Sequence, residues 1–222
     1  MKMFLGSVAG IWLAAVVTVS AQVSSESFTR AKSWDFYIGP QYLAGKTLDF
    51  DGGAQADIDD AASLVFGVGY HFNERFALDF MFSSASPNYV GTARNDAGET
   101  QRFVEDMYVS SFNLAGTYHF FTGRFTPYVS ALVGFTYIDS GIETGEILEG
   151  CWWDPWYGYE CYPYARTYTS NKFSYGGLAG VRYDFENQMF LKAAVGVTAI
   201  DLDTSNSATF TYGHLVVGFA FK

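Results

Sequence analysis

Large apolar side chains recur at every second position in five separate stretches of this chain, and few folds can accommodate that pattern. A period of two is the repeat of a β-strand, whereas a helix would need 3.6. Ala62, Leu64, Phe66, Val68, Tyr70 and Phe72 share one face, against Ser63, Val65, Gly67, Gly69 and His71 on the other. Phe76, Leu78, Phe80 and Phe82 alternate with Ala77, Asp79, Met81 and Ser83. The same holds for Phe112–Phe120 against Asn113, Ala115, Thr117 and His119. It holds again for Leu191–Val197 against Lys192, Ala194, Gly196 and Thr198, and for Leu215–Phe221 against His214, Val216, Gly218 and Ala220. A soluble sandwich would put its large residues inside and its polar residues in water. Here Asp79, Arg182, Asp184 and Lys192 fall on the face rich in Gly and Ala. That suits a narrow barrel lumen, with the bulky faces meeting lipid. Charges buried there must pair, so Arg182 is expected to bond a carboxylate, either Asp79 or Asp184.

The connections between these stretches are unequal. Three are tight: Asn73-Glu74-Arg75, Thr122-Gly123-Arg124 and Glu186-Asn187-Gln188. The excess length collects into polar or acidic segments at 44–60, 85–101, 139–168 and 202–207. Short turns on one side and long loops on the other is the asymmetry of outer-membrane barrels. Three turns plus four loops predict a closed antiparallel transmembrane β-barrel of eight strands, with short periplasmic turns, long extracellular loops and both termini periplasmic. About 9–11 residues suffice for each crossing of a tilted strand. Closure pairs backbone groups that an open edge would leave unsatisfied in lipid. Whether 139–168 holds a further hairpin, which would give ten strands, stays open at this point.

The amino terminus is expected to be removed. Residues 1–21 carry Lys2, an apolar run from Met3 to Val17 and the small-residue end Val19-Ser20-Ala21, the layout of a signal peptide. Residues 22–33 then form a short periplasmic segment, and 34–222 the outer-membrane barrel. Loss of Lys2 takes the formal charge from −10 to −11, which argues against nucleic acid as a partner. No cofactor is expected. Cys151 and Cys161 are the chain's two cysteines, and in an oxidising compartment they are expected to form one disulfide.

Several segments resemble a known family. Gly67-Val68-Gly69-Tyr70-His71-Phe72-Asn73-Glu74-Arg75-Phe76-Ala77-Leu78-Asp79 looks like a strand-turn-strand unit of the OmpA-like, OmpX-like and opacity-type outer membrane β-barrel superfamily, the porin family in its broad sense. Phe125-Thr126-Pro127-Tyr128-Val129-Ser130-Ala131-Leu132-Val133-Gly134-Phe135 is similar to the family's Pro-Tyr-Val strand. Gly176–Tyr183 and Val217–Phe221 fit its late strands, although Lys222 follows Phe221 where the family usually ends on an aromatic residue. The resemblance implies a protein of the Gram-negative cell outer membrane and the cell envelope. It would be monomeric, surrounded by lipid and lipopolysaccharide, and inserted by the barrel-assembly machinery.

Catalysis finds little support. Barrel enzymes such as lipid A acylases and deacylases and omptin-like proteases work near the outer rim, with His beside Ser or Asp. His71 and His119 precede periplasmic turns, and His214 has no evident Ser partner. Two Cys separated by nine residues, with no His near, make a poor zinc site. Asp49, Asp51, Asp57, Asp59 and Asp60 suggest a calcium loop, but Gly53 stands where a ligand should be; a solvated loop loosely attracting divalent cations is expected instead. The segment Cys151–Tyr164 holds three of the chain's five Trp. Trp152, Trp153, Trp156, Tyr157 and Tyr159 form either a recognition surface for an extracellular ligand or host surface, or an aromatic cluster packed over the barrel mouth or resting at the lipid headgroup level. The expected function is a non-enzymatic barrel with envelope-structural and surface-loop interaction roles. The alternatives are a narrow channel for ions or small apolar solutes and, third, an outer-membrane lipid A-modifying enzyme or protease.

Overall fold

A computed structural model describes residues 29–49, 55–94, 100–154, 158–201 and 208–222. The expected signal peptide, Asp51, Trp156 and Tyr157 lie outside the described residues. Among the described residues twelve strands follow one another: β1 Trp34–Leu43, β2 Lys46–Asp49, β3 Gln55–Ile58, β4 Ala61–His71, β5 Phe76–Ala85, β6 Asn88–Arg94, β7 Thr100–Asp106, β8 Tyr108–His119, β9 Phe125–Asp154, β10 Gly158–Asp184, β11 Met189–Ile200 and β12 Ala208–Phe221. Eight of them close a barrel in the order β1-β12-β11-β10-β9-β8-β5-β4. Neighbours are antiparallel throughout, and β1 meets β12 with Trp34 opposite Phe221. Among the described residues no helix is long and apolar enough to cross a membrane; strands do the crossing.

The alternation sorts the side chains as the sequence predicts. Leu64 is 63% exposed and Val65 not at all; Val217 is 43% exposed and Val216 not at all. The exposed face is therefore the large, apolar one, as lipid requires. Around the periplasmic end, aromatic rings pair across neighbouring strands, with Trp34 and Tyr70 at 5.0 Å and Phe76 and Tyr118 at 5.0 Å between centroids, and Tyr183 meets Phe185 at the end of β10 at 4.9 Å. Such girdles mark the interface between hydrocarbon and water. Inside, two glycines are dictated by close approach. A Cβ on Gly67 would lie 2.3 Å from the Tyr37 ring, and one on Gly218 would lie 2.3 Å from Phe190.

The long connections differ from the loops expected at 44–60 and 85–101. They fold into a separate four-stranded sheet, β2-β3-β6-β7, beyond the extracellular rim. Leu48 and Ala56 face each other across its first hairpin, and strands of only four residues are too short to declare themselves by period. This head is tied to the barrel: Tyr89 Oη donates to the Ser140 carbonyl (2.9 Å) and Lys46 Nζ to the Thr209 carbonyl (2.8 Å). The 139–168 segment adds no barrel strand. It prolongs β9 and β10 as a two-stranded ribbon, because pairing with β8 ends at Asp139 and pairing with β11 at Ser174. Register shifts near Ala165–Thr169 and left-handed Gly141 (φ 70°) and Gly145 (φ 82°) interrupt the ribbon's regularity, the local kinking that bulges bring.

Candidate functional site

Asp79 on β5, Arg182 and Asp184 on β10 and Lys192 on β11 all point into the lumen, and they meet there. Arg182 Nε donates to Asp184 Oδ1 at 2.8 Å, and Lys192 Nζ donates to Asp79 Oδ1 at 3.3 Å. Arg182 does not reach Asp79, one of the two carboxylates expected for it. Its main partner is Asp35 on β1: the two terminal nitrogens straddle that carboxylate, one on each oxygen. His71 Nε2 lies 2.9 Å from Asp35 Oδ2 as well, and Lys192 Nζ 3.5 Å from the same oxygen. Thr117 Oγ1 donates to the other side of Asp79 (2.8 Å).

Arg30 completes the cluster from outside the barrel strands. Its Nε donates to Asp184 Oδ2 at 2.8 Å. Its terminal nitrogens donate to the carbonyls of Glu74 (3.2 Å), Phe121 (3.3 Å) and Gly123. One guanidinium thus bridges two periplasmic turns and the end of β10, although it is only 1% exposed. The ledger balances, with Asp35, Asp79 and Asp184 against Arg30, Arg182 and Lys192. Aromatic rings pack the space between: Arg182 Cζ sits 3.9 Å from the centroid of Phe190, and Lys192 Nζ 4.4 Å from that of Tyr37. Cations over ring faces gain further attraction.

Above this plug the lumen turns apolar. Val65, Met81, Leu132 and Tyr212 form a floor continuous with the buried cluster of Tyr37, Tyr128, Leu178 and Phe190. A cavity of about 410 Å³ stands on that floor, walled by the upper barrel and roofed by the head through Leu48, Ala56, Tyr89 and Phe103. Burial, with Glu105 nearby, raises the Tyr89 phenol above its ordinary pKa, so at neutral pH it remains an uncharged donor to Ser140.

The remaining candidates are dispersed. His71 and His119 lie 5.2 Å apart between ring centroids in the plug, with their rings tilted by 40°, and His119's ring nitrogens have no hydrogen-bond partner among the described residues. His214, on β12, is buried apart from them, across from Gln41 of β1. Asp49 and Asp57 lie on strands, not in a solvated loop, and bond to neighbours: Gln55 Nε2 donates to Asp49 (2.9 Å), Thr47 Oγ1 to Asp57 (2.8 Å) and Tyr42 Oη to Asp60 (2.7 Å). Among the described residues no group of three His, Cys, Asp or Glu side chains is arranged to hold a metal ion. For Cys151, Trp152, Trp153, Tyr159 and Cys161 only the backbone is described, and the ribbon register sets Cys151 opposite Cys161.

The closed barrel, its lipid-facing exterior and its asymmetric connections find their counterpart in one family. Residues 11–222 match the family described as "Outer membrane protein beta-barrel domain". The chain belongs to that family. Its place is the outer membrane of a Gram-negative bacterium. No curated protein matches the chain in sequence. Among solved structures it is similar to the outer membrane protein OprG from Pseudomonas aeruginosa, at 14% identity, covering 86% of this chain and 96% of that one, with a TM-score of 0.51. It is also similar to Ail, the attachment invasion locus protein of Yersinia pestis, in complex with the heparin analogue sucrose octasulfate, at 13% identity, covering 86% of this chain and 99% of that one, with a TM-score of 0.51. At these identities the likeness is one of fold alone.

Proposed function

We propose that this barrel is a non-enzymatic, non-conducting component of the envelope that anchors an interaction head outside the cell. The balanced ion-pair plug carries the reading. Arg182 and Asp35 are both 0% exposed and join β10 to β1 across the lumen, which supports a lumen closed to ions. Eight strands enclose a space that side chains can fill, and the buried charges and the rings around Phe190 fill its periplasmic half. The histidines support the absence of catalysis: His71 is engaged with Asp35 at 1% exposure, beyond the reach of a substrate.

The head and the β9–β10 ribbon supply the interaction surface, with Trp152, Trp153 and Tyr159 placed by register near the ribbon's outer end. The polyanion seen with Ail does not transfer readily. Asp49, Asp57, Asp59, Glu105, Asp106 and Glu143 give the outer part of this chain an acidic surround, which repels polysulfates. Lipid and lipopolysaccharide contact the barrel wall, insertion falls to the barrel-assembly machinery, and the protein works as a monomer. A channel for small apolar solutes is the second reading; the apolar cavity favours it, and the plug beneath it opposes it.

Planar-bilayer recording of the purified protein decides between them for ions. The expected trace is flat, with channel steps emerging when Arg182 and Lys192 are both replaced by Ala. Regular steps from the unaltered protein would overturn the reading.

A further inference from the structure

The 410 Å³ cavity lies within the range of small-molecule sites, roughly 300–1,000 Å³. Not one Asp, Glu, Lys or Arg is among its lining residues. That is unusual in a chain with 36 charged side chains and a formal charge of −10. Aliphatic and aromatic groups supply most of the lining, and Gln41 and Asn113 add amides able to fix an orientation. Two elements of different kind build it, the barrel wall and the extracellular head. The floor is sealed by the packed cluster around Phe190, which is 0% exposed.

We propose that this cavity is a binding cup for an uncharged, largely apolar small molecule arriving from the extracellular side, held rather than passed inward. Its neutrality follows from charge. No cation in the cup offsets a ligand anion, and desolvating an unpaired charge costs several kcal/mol. The segments that build the head, 44–60 and 85–107, are acidic in sequence, with nine carboxylates against Lys46, Arg94 and Arg102. An anion therefore pays twice, on approach and on entry. That the ligand is held depends on the sealed lumen proposed above, whereas the binding itself does not. Conductance would therefore refute the sealed lumen alone, and absence of binding the cup alone.

A matched pair of fluorescent probes tests the cup. N-phenylnaphthylamine and anilinonaphthalene sulfonate share an aromatic skeleton and differ by one sulfonate. The protein is placed in phosphatidylcholine nanodiscs, and the signal of empty discs is subtracted. The expected result is saturable binding of the neutral probe, at least tenfold tighter than the anion at low salt, with the gap narrowing as salt screens the head. Ala56→Trp fills the cup from the roof and Leu132→Trp from the floor; each should abolish saturable binding. Leu64→Trp, on the lipid face, should leave it unchanged. Mobility of the unboiled protein on a gel checks that each variant keeps its barrel, and two fillings from opposite sides guard against loss of one variant. Three results would each overturn the proposal: no saturable component, equal affinity for both probes, or binding that survives filling in a barrel-competent variant.

Discussion

At the residue scale, the plug turns on Arg182 and Asp35. Removing one partner of a buried pair leaves the other charged, desolvated and unmatched, at a cost of about 3–5 kcal/mol. Arg182→Ala should lower barrel stability by that amount in urea titrations of the detergent-solubilised protein, and Asp35→Asn should come close to it. A neutral Arg182→Ala change would mean that water fills the site. Arg30→Ala should cost less, about 1.5–3 kcal/mol, because Asp184 keeps Arg182 as a partner. Four of the six charges were legible from alternation alone. Asp35 carries the same signal, since Trp34, Phe36 and Ile38 face lipid on either side of it, but β1 lacks the run of like residues that makes the other strands conspicuous. Arg30 carries no such signal. Most of its partners are main-chain carbonyls of turns that converge only when the barrel closes.

At the element scale, polarity misled about the long connections. Thr47, Asp49 and Asp57 look like loop residues, yet they project outward from a two-sided sheet whose other face carries Leu48, Ala56 and Ile58 against the barrel mouth. Four-residue strands alternate too briefly to stand out, and their pairing partner β6 lies some thirty residues on. The β9–β10 ribbon, in contrast, places Cys151 directly across from Cys161. Opposed residues of an antiparallel pair have Cα atoms about 4.5–5.5 Å apart, inside the range a disulfide spans. The disulfide expected from export is thus proposed as a cross-strand staple contributing roughly 2–3 kcal/mol to the ribbon. Intact mass after alkylation without reductant should show no added alkyl group. Two added groups would mean free thiols. Reduction should loosen the ribbon tip and leave the barrel closed.

At the scale of the whole molecule, the chain divides its labour by height. Aromatic girdles seat the barrel in the membrane, a charge-balanced cluster occupies its periplasmic half, and an apolar cavity lies under a small sheet at the outer end. Protease added to intact cells should leave the turns at 73–75, 122–124 and 186–188 uncut and cleave, where it cleaves, in the extracellular segments; cutting at those turns instead would invert the orientation. Period two made the barrel and its polarity legible, because lipid outside and a narrow lumen inside impose opposite demands on alternate residues. The cup was not legible, since it arises where head and barrel meet and neither shows it alone. All of this presupposes a ring of eight strands in which β1 and β12 are zipped together without an edge. Electrophoresis of outer-membrane extracts with and without boiling tests that ring most directly. The unboiled protein should run ahead of the boiled one, because a closed barrel stays folded in cold detergent; identical mobility would contradict a closed barrel.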